Sequence, residues 1–155
     1  MLTLIQTSSD DPDFRELVKL LDADLALRDG KDHLFFAQYN KLDTINHVVV
    51  AYFDNAPAGC GAIKKYDDET MEVKRMFVKP EYRGKGIARA VLSALEKWSG
   101  ELGYAQCILE TGKRQPEAIT LYKTSGYSQI PNYGQYENVE TSVCFKKRIV
   151  SDSIR

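Results

Sequence analysis

With 155 residues, 43% of them hydrophobic and 28% charged, the chain has enough apolar material for one folded core without disulfides. No single run approaches the ~20 apolar residues of a membrane span. A net charge of −1 removes any overall electrostatic reason to bind nucleic acid or an anionic membrane.

The start, MLTLIQTSSDDPDF, turns acidic after a very short apolar run, which is unlike a secretory leader, so a cytoplasmic location is expected. LTLIQ reads as a first strand. In DPDFRELVKLLDADLALRD the apolar residues Phe14, Leu17, Leu20, Leu21, Leu25 and Leu27 fall mostly at helical spacing, with Pro12 in the first turn and Gly30 just past the end. HLFFAQYN, residues 33–40, is expected to form a second, shorter helix. HVVVAYF, GCGAIKKY and MEVKRMFV then read as three strands of an antiparallel meander, separated by the turn signals DNAP and DDE.

Ile87, Val91, Leu95, Trp98 and Leu102 recur at steps of three and four, predicting a helix that packs on the sheet and stops near Gly103. AQCILE follows as a strand. Because a whole helix separates it from MEVKRMFV, the two are expected to be parallel neighbours. PEAITLYKTSG predicts a short helix between Pro116 and Gly126, and strands around YSQI and SVCFKK flank the Tyr-rich PNYGQYENVE. The class is α+β, a mixed and mostly antiparallel sheet of about seven strands with about four helices. We expect one domain over residues 1–150 and a short tail at 151–155.

Cys60, Cys107 and Cys144 stand far apart without a CxxC pair, and His33 and His47 are isolated. Neither a disulfide framework nor a metal site is expected, and each cysteine reads as a small buried apolar residue.

The chemistry concentrates at residues 80–88, PEYRGKGIA, where a strand gives way to a helix. Such a junction leaves backbone amides without partners, able to hold an anion. From Lys74 to Arg89 there are six basic residues against the single acidic Glu81. A phosphate-binding P-loop fails, because Lys85 is followed by Gly86 where Ser or Thr would reach magnesium. A dinucleotide fingerprint fails as well, since Arg89 stands where its third glycine belongs. What remains is a loop with small residues at Gly84, Gly86 and Ala88 that can close around a pyrophosphate, its amides from 84 to 89 donating and Arg83 and Lys85 adding charge.

MFVKPEYRGKGIARAVLSALEKW, followed by EAITLYKTSGY, resembles the two signatures of the GNAT superfamily of acetyl-CoA-dependent N-acetyltransferases, over roughly Met71 to Tyr127. Gln115 departs from the pattern, which often has Asn there. The resemblance implies a sheet whose fourth and fifth strands splay apart and a coenzyme A arm lying between them. Backbone near Phe77 and Val78 would then hold the arm and polarise the thioester, with Arg83, Gly84, Lys85, Gly86, Ile87, Ala88 and Arg89 around the pyrophosphate. Tyr122 is the implied acid for the departing thiolate. Glu72 and Glu110 each match a position of a general base, and the residue chemistry alone leaves both open, since Glu72 can also pair across strands with Lys64 or Lys65.

The acceptor is expected to be the amine of a small molecule or amino acid, in a pocket formed by residues 30–40 and 131–140 and lined by Tyr39, Tyr133 and Tyr136. A protein N-terminus or lysine, or a CoA-sensing role without catalysis, are the alternatives. Homodimerisation is left open.

Overall fold

The structure, a computed structural model, describes residues 1–29 and 45–149. Seven strands form one sheet: β1 (Leu2–Thr7), β2 (His47–Phe53), β3 (Ala56–Asp67), β4 (Thr70–Val78), β5 (Gln106–Gly112), β6 (Ser128–Ile130) and β7 (Ser142–Arg148). Their order across the sheet is β1-β2-β3-β4-β5-β7-β6, and every neighbouring pair is antiparallel except β4 and β5. The described helices are α1 (Pro12–Asp29), α2 (Ile87–Glu101) and α3 (Pro116–Thr124), with single 3-10 turns at Pro80–Tyr82 and Gly134–Tyr136. The short helix expected at residues 33–40 lies outside the described residues.

Alternation along β2 builds the two cores. Val48 and Val50 face α1 with Phe14, Leu17, Val18 and Leu21, while Val49 and Ala51 face α2 with Ile87, Val91, Leu92 and Leu95. Leu20 and Leu27, counted with the helical stripe of α1, are exposed instead. Asp11 caps α1, its Oδ1 accepting from the amides of Asp13 at 2.8 Å and Phe14 at 3.1 Å. Between β2 and β3, Asp54 and Asn55 both take positive φ, 50° and 70°, as a two-residue hairpin turn requires.

One irregularity positions the site. Cys60 pairs with Phe77 and Ala62 with Lys74, so Gly61 of β3 stands opposite both Arg75 and Met76 of β4. The extra residue is Arg75, whose φ of 62° is left-handed and costs a non-glycine residue roughly 1–2 kcal/mol. A Cβ on Gly61 would lie 2.6 Å from Met76 Sδ and 2.8 Å from Leu95 Cδ1, so any larger residue would push these side chains out of place. β4 pairs with β5 only at Thr70, Met71 and Glu72, and beyond Glu72 the two strands part. The splay implied by the family resemblance begins there.

Candidate active site

Two cavities meet where β4 and β5 separate. The larger, of about 320 Å³, is walled by Phe77 and Val78 of β4, by Arg83, Gly84, Gly86, Ile87, Ala88 and Arg89, and by Leu121 and Tyr122 of α3. The smaller, of about 100 Å³, is lined by Glu72, Lys74, Arg75, Glu110, Thr111, Tyr136 and again Tyr122. Tyr122, Gln115, Ala118, Met76 and Leu21 belong to both walls. Of the expected acceptor pocket, the segment at residues 30–40, with Tyr39, lies outside the described residues.

In the larger cavity the wall that matters is backbone. Gly84 and Gly86 both have φ of 79°, and a Cβ on either would find nothing within 4 Å. Gly86 is the N-cap of α2 and supplies no side-chain acceptor. The first intrahelical bond runs from Ala90 N–H to the Gly86 carbonyl at 3.1 Å, so the amides of Gly86 to Arg89 precede it and are available to a ligand. The charged residues around this cavity balance, Arg83 and Arg89 against Asp24 and Glu117. Its preference for an anion therefore rests on those amides and the helix dipole.

The basic residues of the sequence motif disperse. Arg83 lies over the Phe77 ring at 5.8 Å, and its Nε donates to the Val78 carbonyl at 2.9 Å; that oxygen keeps a second lone pair for another donor. Arg89 donates to Thr124 Oγ1 at 2.8 Å and to Ser125 Oγ at 3.1 Å, tying the start of α2 to the end of α3. What it offers the cavity is its amide. The Lys85 ammonium lies 5.4 Å over the Phe53 ring and does not line the cavity. Lys74 and Arg75 stand in the smaller cavity, so the basic run is divided between the two rather than forming one patch.

Tyr122 is buried. Burial first, and the Glu110 carboxylate second, push its phenol above the ordinary value of 10.0, so it keeps its proton at any physiological pH. Its ring sits among Tyr127 and Phe145, with centroids 5.9 and 6.2 Å away.

Both glutamates face the smaller cavity, since β4 and β5 alternate and Glu72, Lys74 and Glu110 fall on the α1 side of the sheet. Tyr133 donates to Glu72 Oε2 at 2.6 Å, and the Lys74 ammonium is 3.9 Å from Oε1. Lys64 is opposite Glu72 in register, but the short hydrogen bond comes from the loop. Glu110 is not a strand terminus, because β5 continues to Gly112; its Oε2 accepts from Ser142 Oγ at 2.7 Å. Tyr133 stacks edge-on with Tyr66 at 5.3 Å and with Tyr136 at 5.9 Å, so the loop before β7 closes over the carboxylates. Burial, then Glu110 and then Glu72, raise the Tyr136 phenol.

The three cysteines are buried, and none lines either cavity. Burial pushes Cys60 up to about 12 and Cys107 and Cys144 up to about 11. Among the described residues no group of three or more His, Cys, Asp and Glu side chains is arranged to hold a metal ion, and no helix is long and apolar enough to cross a membrane.

The family model for the acetyltransferase (GNAT) family matches residues 11–127. The chain belongs to the GNAT family. It is similar to the IAA acetyltransferase of Azospirillum brasilense, 39% identical over 90 residues, which are 57% of this chain and 58% of that one. It is likewise similar to the uncharacterised N-acetyltransferase YsnE of Bacillus subtilis, 31% identical over 94 residues covering 59% and 62% of the two chains. Those matches span about three-fifths of either relative's length. Among solved structures, a Klebsiella pneumoniae protein assigned as an acyl-CoA N-acyltransferase superposes with a TM-score of 0.81 at 25% identity, over 97% of this chain and 99% of the other. A GNAT acetyltransferase of Elizabethkingia anophelis with acetyl-CoA bound shares the fold, with a TM-score of 0.68 at 17% identity over 95% and 97% of the chains.

The sequence pointed to Phe77, Val78, Gly84, Gly86 and Tyr122, and within this GNAT fold they line one cavity. It counted Lys74 and Arg75 with the basic run around the anion loop, whereas they line the smaller cavity, and it did not point to Ser142. For Lys74 the signal was present, two residues after Glu72 on the same strand face; for Ser142 there was none, because its partner is 32 residues away.

Proposed function

We propose that the chain transfers an acetyl group directly from acetyl-CoA to the amine of a small molecule. The observation that carries this is the meeting of the two cavities at Tyr122, with an uncapped helix start on one side and two carboxylates on the other. Acetyl-CoA, when bound, supplies an acyl thioester already reactive toward nitrogen. The residues of the larger cavity fit such a ligand: amides at Gly86 to Arg89 suit a pyrophosphate, and the exposed edge of β4 beyond Glu72 suits an extended arm.

An acceptor amine with a pKa near ~10 arrives protonated and has to lose that proton before it can attack. Each glutamate has one oxygen engaged, Glu110 by Ser142 and Glu72 by Tyr133, but Glu72 also faces Lys74 while the charge of Glu110 acts on Tyr122, where the two cavities meet, so Glu110 is the base in this reading. Tyr122 donates to the departing sulfur. Since its phenol is raised above 10.0 and a free thiol has a pKa of ~8.5, complete proton transfer runs uphill. The phenol therefore acts as a hydrogen-bond donor that strengthens as charge gathers on sulfur, with solvent as the final proton source. A covalent acetyl-cysteine has no candidate, because no thiol reaches either cavity.

The test is thiol release from acetyl-CoA with a panel of amines, amino acids and peptides, with the acetylated product identified by mass. Amine-dependent release is the expected result. Tight binding of acetyl-CoA by calorimetry, with no release for any acceptor, would instead mark the chain as a CoA sensor.

A further inference from the structure

The smaller cavity holds cations as well as carboxylates. Lys74 and Arg75 line it beside Glu72 and Glu110. The Lys74 side chain is only 13% exposed, and its ion pair with Glu72 is 3.9 Å long, beyond hydrogen-bonding distance for an ammonium with three donors. Arg75 is 2% exposed at its side chain, with its guanidinium 3.7 Å from Asp22, which does not line the cavity. A cavity built to collect any alkylammonium would present carboxylates alone. Here an incoming ammonium meets Glu110 and Glu72 but also the Lys74 ammonium, and like charges at short range in a site shielded from water oppose binding.

An acceptor that carries its own carboxylate removes that conflict. We propose that the acceptor is an α-amino acid or a close derivative with a free carboxylate, which Lys74 recognises while the amine is directed to Glu110 and Tyr122. The carboxylate gives Lys74 the short charge-assisted bonds that Glu72 does not, and Arg75 adds long-range attraction from behind. The described walls leave about 100 Å³, room for the ammonium, α-carbon and carboxylate. Tyr136, buried against Cys144, forms the wall beside them. This inference rests on the acetyltransferase reading above and adds to it a substrate class and a specificity residue.

The experiment uses matched triples. Each of the common amino acids is compared with its α-carboxamide and with the amine lacking the carboxyl group, rates being expressed per unprotonated amine, on the wild-type chain and on Lys74→Met and Lys74→Arg. The wild type is expected to prefer at least one amino acid over both analogues by about 10- to 100-fold in kcat/KM, the size of a charge-assisted contact. Lys74→Met should raise KM for that amino acid by the same factor while its carboxamide, relieved of a like charge, holds or gains, so that the acid-over-carboxamide preference collapses; acetyl-CoA affinity should stay unchanged, and Lys74→Arg should retain the preference. Carboxamides or plain amines working as well as amino acids on the wild type overturns the carboxylate inference and leaves the acetyltransferase intact. Equal losses on acid and carboxamide in Lys74→Met reduce Lys74 to a structural role and also overturn it. Absence of amine-dependent release for every compound overturns the acetyltransferase reading itself.

Discussion

On one side of Tyr122 the larger cavity offers an anion the backbone amides at the start of α2, inside a wall that α1 and α3 complete; on the other side the smaller cavity is lined by charged and aromatic residues of β4, β5 and the loop before β7, again with α1 and α3. The first wall works through amides and left-handed glycines, so it depends on backbone conformation and little on which charges decorate it. Lys85 illustrates the point by lying over Phe53 instead of in the cavity. The second wall works through charges held in place by other side chains: Tyr133 on Glu72, Ser142 on Glu110. A change of side chain should therefore disturb chemistry and specificity on one side, and a change of backbone should disturb affinity on the other.

The sharpest way to break that division is at the residue both walls share. Tyr122→Phe keeps the ring against Tyr127 and Phe145 and removes only the donor, so acetyl-CoA affinity should hold while kcat falls by about 10²- to 10³-fold, the size of one hydrogen-bond donor to developing charge. Turnover that stays near normal, alongside a lowered melting temperature, would make Tyr122 a core residue and leave the sulfur to solvent.

A smaller effect is expected from Gly86→Val. Nothing in the chain would touch the new Cβ, so the cost comes from forcing a β-branched residue to φ of 79° and from filling space next to the amides. Strain of roughly 1–2 kcal/mol falls on the folded state as a whole and lowers its stability, while the isopropyl group beside the amides excludes the ligand and lowers affinity. Calorimetry should show the loss for acetyl-CoA, and the thermal midpoint should fall by only several degrees, leaving the chain folded at the temperature of the titration. Undiminished binding in Gly86→Val would contradict the backbone reading of this wall.

The mildest signature belongs to the acceptor side and to stability. Burial raises the phenols of Tyr122, Tyr133 and Tyr136 above 10.0, with Glu110 next in importance for Tyr122 and Tyr136 and Glu72 for Tyr133. The thiol of Cys144 is raised from 9.0 to about 11. In each case the folded chain holds a proton that the unfolded chain releases, so the stability is fully present below pH 9 and is lost as pH rises, first through the thiols and beyond pH 10 through the phenols. Urea midpoints measured from pH 8 to 11 should fall over that range, together with the rise of tyrosinate absorbance. In Tyr133→Phe the fall should be shallower, and an unchanged slope would remove Tyr133 from the buried network.

How much of this was legible beforehand follows the same division. The strands HVVVAYF and MEVKRMFV, the helix stripe from Ile87 to Leu95 and the glycines of the cradle are governed by neighbours a few residues away, through side-chain periodicity and the sterics of φ. They stand where the sequence puts them. An element's edge that depends on a distant partner is not written locally: β5 runs two residues past Glu110 because β7 continues to pair with it.

The sequence by itself determined the order of elements, the uncapped glycine start of α2 and the family, because each is written in contiguous residues. Only the tertiary structure decided which carboxylate is held by what. Tyr133 and Glu72 are 61 residues apart, and no local preference encodes their hydrogen bond. The left-handed Arg75 was equally invisible, since a strand sequence gives arginine no reason to adopt φ of 62°. That conformation is imposed by pairing across β3, where Gly61 leaves room for two residues of β4 against one, and it precedes the parting of β4 from β5 along which the two cavities meet.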